Sequence, residues 1–229
     1  MLSEALSFLK RSDDWVATTI IGGVLSLLSV LILPAIILQG YYVRAMQAAA
    51  RGEEAAPSFT DWGALFVDGL KLFVVTFVWA LLAIIPIIGF SAIIGLSTFA
   101  VAETTTSAGM PPEPASNFGI GIVAILGSLL VFALSLVVGY IVPAAGANFA
   151  IEGNLGAGFD VRTILSGAFT AEYAVAWVLA IVVALVLGTI GSLLSIILVG
   201  VFILFYVQVT TYYLWARGYA DGVGQQSGW

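Results

Sequence analysis

The sequence predicts an all-α integral membrane protein with five or six transmembrane helices, and three observations carry the prediction. Only 9% of its 229 residues are charged and 61% are hydrophobic, whereas a soluble domain carries about 25% charged residues. Water therefore cannot be the chain's main solvent. Four apolar runs, residues 16–38, 70–102, 118–147 and 173–214, exceed the roughly 18–20 residues that cross a hydrocarbon core about 30 Å thick. These runs of Ala, Leu, Val and Ile pair their backbone amides internally as helices, where a barrel would show short alternating strands.

The elements follow in chain order. The opening MLSEALSFLKRSDDW has acidic and basic residues up to Asp14 and no cleavage site after the apolar run, unlike a signal peptide. Residues 16–38 read in two ways, as one plain span or as a bent pair of half-depth helices. Length favours the first. The second puts all seven basic residues on one side, as the positive-inside rule asks. In both, residues 41–71, 150–171 and the C-terminus are expected in the cytoplasm.

Residues 41–71, YYVRAMQAAARGEEAAPSFTDWGALFVDGLK, hold seven of the 20 charged residues. Ser58 followed by Asp61 is a helix-start signature, and Phe59, Trp62, Phe66, Gly69 and Phe73 form an apolar face at helical spacing. This predicts a surface helix from Phe59 to Lys71. Residues 70–102 are over-long, with Pro86 and Gly89 where a first span would end, so residues 90–102 are expected as a broken, interfacial or re-entrant continuation. Residues 103–117, ETTTSAGMPPEPASN, read as a non-helical connector. Residues 173–214 would be about 63 Å as one helix, so a hairpin is required, with its turn expected at Gly188, Gly191 and Ser192.

Three segments lead into apolar runs in a similar way, SFLKRSDDWVATTII, SFTDWGALFVDGLKLFVV and GFDVRTILSGAFTAEYAVAWV. They suggest pseudo-repeated hairpins behind amphipathic interfacial helices, within a single membrane domain (1–229; repeats roughly 1–52, 57–153 and 158–218). Coincidence in a low-complexity alphabet is the alternative. Ala176, Ala180, Ala184, Gly188 and Ser192 recur every four residues, a small-residue stripe suited to close packing within the bundle or to a homo-oligomer. Trp15, Trp62, Trp177 and Trp215 lie near helix boundaries and read as interfacial anchors.

The chain has no Cys and no His, which excludes disulfides, thiolate chemistry, imidazole acid–base catalysis and most transition-metal sites. No cofactor motif, metal cluster or nucleic-acid partner is expected. The net charge of −6, with five Arg against two Lys, suits high salt and a halophilic source. No Asp, Glu, Lys or Arg lies in the core of an apolar run, which argues against a proton relay. Gln39, Tyr41, Tyr42, Gln47, Asn148, Asn154, Gln208, Thr210, Thr211, Tyr212 and Tyr213 sit near helix ends. They serve either as interhelical hydrogen-bonding groups or as the lining of a cavity opening to one side.

The residues Gly40, Tyr41, Arg44, Gly52, Pro57, Phe59, Asp61, Trp62, Asp68, Gly69, Leu70 and Lys71 carry a resemblance. Most closely over residues 13–90, the chain resembles a family of archaeal multi-span membrane proteins, common in haloarchaea and methanogens, catalogued only as a domain of unknown function. The resemblance implies an archaeal cell membrane and no activity. Arg44, Asp61, Asp68 and Lys71 are the candidate binding surface or structural clasp: a closed network would make a clasp, an open one a surface. The expected function is non-enzymatic, organising lipid or binding a partner. The alternative is a transporter or channel for a small neutral or apolar solute.

Overall fold

In the computed structural model, the backbone is described for residues 1–108 and 114–227, and the side chains for residues 1–96, 99 and 121–224. These residues form eight α-helices and no strand: α1 (Leu2–Phe8), α2 (Trp15–Leu27), α3 (Ile32–Ala50), α4 (Trp62–Ala108), α5 (Pro114–Glu152), α6 (Val161–Ala168), α7 (Ala171–Leu194) and α8 (Val199–Ser227). Four are long and apolar enough to cross a membrane, over Trp62–Leu96, Gly121–Glu152, Ala171–Ile197 and Val199–Gly224. A fifth span is present if Leu2–Arg11 and Trp15–Val30, bent by 96°, count as one.

The chain divides into two compact units, one of Met1–Thr76 with Tyr140–Trp229, the other of Phe77–Gly139. In the first, α8 is central: α7 runs beside it as a hairpin, and α1, α2, α3 and α6 pack on it. Tyr41, Phe205, Tyr173, Tyr219, Phe8 and Leu214 are fully buried there. In the second, α4 and α5 present apolar side chains outward, including Leu82, Ile85, Ile88, Leu126 and Phe132, as lipid-facing helices do.

Residues 16–38 do not form one helix. α2 gives way to a 3-10 turn at Leu28–Val30, Leu31 is extended, and α3 starts at Ile32 with Pro34 in its first turn, where a missing N–H costs nothing. Of the two readings, the single straight span is the one lost, because α2 alone is about 20 Å long.

Four further expectations are corrected. The surface helix predicted from Phe59 is no separate element: the helix starts at Trp62 and continues without a break into the span. Residues 90–102 belong to the same helix, and Pro86 and Pro143 lie inside α4 and α5. A membrane helix tolerates an internal Pro because packing and local adjustment re-satisfy the freed carbonyl. The connector read at residues 103–117 is helical up to Ala108 and again from Pro114, and residues 109–113 fall outside the described part.

The hairpin turn, expected at Gly188 to Ser192, comes later, in a 3-10 turn at Ser195–Ile197 followed by Leu198 in the left-handed region (φ 62°). Gly191 belongs to the helix contact instead, for a Cβ added at Gly200 would collide with its carbonyl oxygen. Gly191 allows a close approach, Gly188 faces open space, and neither marks the turn.

Helix ends in the loops carry the expected chemistry. α3 finishes in a Schellman arrangement, with Glu53 N–H donating to Ala48 O (2.9 Å), Gly52 N–H to Ala49 O (3.0 Å) and Gly52 at φ 75°. Asn154, Asp160 and Thr170 cap the 3-10 turn Leu155–Phe159, α6 and α7 through their side chains.

Candidate functional site

The charged motif forms a joint between α3 and the start of α4. Gly40 and Gly69 make it possible: a Cβ on Gly40 would collide with the Leu65 carbonyl, and one on Gly69 with the Ile36 carbonyl. Two helix backbones thus touch directly, the closest approach small residues allow. Above this contact Arg44 reaches across, its Nη1 donating to Thr60 O and its Nη2 to Asp61 O at 3.1 Å. Asp61 holds a positive φ of 48°, and its carboxylate accepts from Ala64 N–H at 3.2 Å. Asp61, and not Ser58, therefore caps α4. Ser58 donates to Asp14 at 3.1 Å.

The loop between the helices is fastened by its apolar members as well. Phe59 stacks on Tyr41 with ring centroids 4.2 Å apart, and Ala56 N–H donates to Phe8 O at 3.0 Å. Of the four candidates, Arg44 binds backbone carbonyls and no carboxylate, Asp61 caps a helix, and Asp68 and Lys71 pair with each other at 3.5 Å. The structure brings them together as two separate links and no single charge network.

Most other polar candidates are also engaged locally. Gln47 donates to Ala150 O (3.0 Å) and Asn148 to Ala157 O (2.9 Å). Thr210 and Thr211 donate to the carbonyls one turn back, at 2.9 and 2.8 Å. Tyr212 stacks on Tyr42 at 4.6 Å, and Tyr213 meets Phe8 at 4.6 Å. Trp177 and Trp215 pack edge-on against Tyr140 and Tyr212, while Trp15 and Trp62 stay about half exposed.

Gln39 and Gln208 are different. With Ser26, Ser29 and Tyr42 they line a cavity of about 260 Å³ between α2, α3 and α8. Gln39 Oε1 is shut off from solvent and accepts no hydrogen bond. Leu204 and Gln208 are shared with a second space of about 710 Å³ along α7 and α8, lined by Ala180, Ala184, Gly188, Ser192 and Trp215 among others. The small-residue stripe therefore divides. Ala176 packs tightly against Gly218, whereas a Cβ on Gly188 would meet nothing within 4 Å. The serines of the cavity were not singled out by sequence; the signal was Ser26 and Ser29 flanking the helix break, on the side of Gly22 that meets Phe205.

Among the described residues no three metal-ligating side chains gather. Long apolar helices, capped and clasped at one charged end, define the class: a multi-pass helical membrane protein. A family profile described as protein of unknown function (DUF4013) matches residues 24–196, and the chain belongs to that family. Neither the curated proteins nor the solved structures gave a match.

Proposed function

We propose that this is a non-enzymatic membrane protein that organises lipid or binds a partner within the bilayer. One observation carries the reading: the motif residues with chemical potential are consumed internally, Arg44 on two carbonyls, Asp61 as a cap and Asp68 on Lys71. An acid–base site needs such groups free and converging on a substrate position. Of the three buried polar atoms left without partners among the described residues, Gln39 Oε1 belongs to a residue lining the cavity, Trp215 Nε1 to one lining the adjoining α7–α8 groove, and Tyr41 Oη to neither.

That cavity also favours the second reading, a transporter or channel for a small neutral or apolar solute. Liposomes holding the full-length protein separate the two. The binding reading expects a broad panel of neutral solutes to enter no faster than into empty liposomes; faster entry, slowed by Gln39→Leu, would establish transport instead.

The positive-inside rule supports residues 41–71, 150–171 and the C-terminus on the cytoplasmic side. Since the chain lacks Cys, single-cysteine variants at Glu53 and Thr105 test this with an impermeant maleimide. Labelling from opposite faces is expected, and labelling from one face would refute it. The acidic composition and the resemblance support a haloarchaeal or methanogen membrane as the setting, and retention of the fold in molar salt is the expected consequence.

A further inference from the structure

We infer that the cavity at Gln39 and Gln208, together with the groove it joins, binds a lipid whose headgroup is uncharged and bears a hydroxyl. The inference rests on the binding reading above and gives it a site. Three features of the two spaces define the ligand.

The first is the pair of side-chain amides, Gln39 and Gln208, in the cavity lining. An amide offers a donor and an acceptor, which one hydroxyl can answer in both directions. Ser26 and Ser29 are turned to other partners: they donate to Gly22 O at 2.7 Å and Ser26 O at 2.6 Å. The second is charge. Among the described residues no charged side chain lines either space, and an ionic headgroup buried without a counter-charge is strongly disfavoured. At about 30 Å³ per water, the cavity's 260 Å³ accommodates a glycerol-sized headgroup with some water.

The third is the groove. It shares Leu204 and Gln208 with the cavity, so a molecule with its head at Gln39 has one continuous path for its tail. Thr189 and Thr211 line that path but direct their hydroxyls to Leu185 O (2.5 Å) and Val207 O (2.8 Å) of their own helices. Ile181, Leu185 and Leu193 line its edge and are exposed. A hydrocarbon chain fits this surface, and Gly188, with open space where a side chain would be, gives it room. An uncharged donor-bearing head beside an apolar tail is the chemistry of a diacylglycerol-like lipid.

The test uses the full-length protein in phosphatidylcholine nanodiscs doped with diacylglycerol carrying a photoactivatable acyl chain. Phosphatidic acid with the same chain, and free glycerol as competitor, form the other arms. Diacylglycerol is expected to label groove-facing residues of α7 and α8 in preference to phosphatidic acid. Gln39→Leu and Gln208→Leu should each reduce labelling about fivefold, the effect of one lost hydrogen bond. Gly188→Leu, which fills the groove where nothing else stands, should block it even if a glutamine variant fails to fold.

Equal labelling by phosphatidic acid, labelling unchanged in every variant, or full protection by glycerol would overturn the assignment. So would a cross-linked dimer in place of labelled lipid, or no labelling at all, which would leave the cavity to water. If labelling fails while liposomes remain as tight as empty ones, only the site falls. Solute entry would remove the binding reading itself.

Discussion

Arg44 shows how a charged residue at a membrane protein's edge can look like a site and act as a fastener. Its guanidinium fork spans the carbonyls of Thr60 and Asp61, a geometry that a single ammonium cannot reproduce. Arg44→Lys should therefore lower stability by about 1–2 kcal/mol, read as a drop in the thermal unfolding midpoint, and leave bound lipid unchanged. Asp160 lies outside the spans, at the start of α6, and the Thr163 hydroxyl and backbone N–H hold its carboxyl below the usual aspartate range. The folded state thus binds this proton less readily than the unfolded chain. The contribution is complete above the unfolded value and is lost as pH falls through the lower folded one. Stability measured against pH should decline in acid on this account, and Asp160→Asn should flatten that decline. Residue type and spacing made Arg44, Asp61, Asp68 and Lys71 legible as a cluster. Their partners were not legible, because the sequence does not say whether an arginine meets a carboxylate or a carbonyl.

At the scale of elements, glycine placement explains both what the sequence revealed and what it hid. Gly40 and Gly69 bring α3 and α4 into backbone contact, so Gly69→Ala should cost about 3 kcal/mol or more through overpacking, seen as loss of the folded fraction in detergent. Gly188→Ala, facing open space, should instead be neutral or stabilising by up to about 1 kcal/mol, since Ala is the better helix former. Equal effects of the two changes would contradict the packing described. The long apolar runs were legible because length and hydropathy alone define a span. The α7–α8 turn was misplaced because glycine marks both turns and close helix contacts. Pro86 misled in the same way, suggesting an end where the helix continues. The predicted lead helix at Phe59 was lost to tertiary structure, with Phe59 drawn onto the Tyr41 ring. Of the three proposed lead segments only α6 forms one separate short helix, since the first is split by the bend between α1 and α2.

Over the whole molecule, two regions have distinct jobs. The α3–α4 joint uses its charges to hold the fold, and the Gln39–Gln208 cavity places two uncharged amides next to a largely apolar groove. Hydropathy announced the first kind of information, that the chain lives in lipid. It was silent on the second, because a cavity between α2, α3 and α8 depends on a helix break at Leu31 that no residue pattern uniquely specifies. The central claim is that stability and binding separate between these regions. Native mass spectrometry of the full-length protein during stepwise heating reads bound mass and unfolding on the same sample. The account predicts that Arg44→Lys unfolds at lower temperature yet retains the lipid mass, and that Gln39→Leu loses the lipid mass yet unfolds as the parent does once its lipid is stripped. The reverse pattern, with lipid lost from Arg44→Lys and retained by Gln39→Leu, would contradict it.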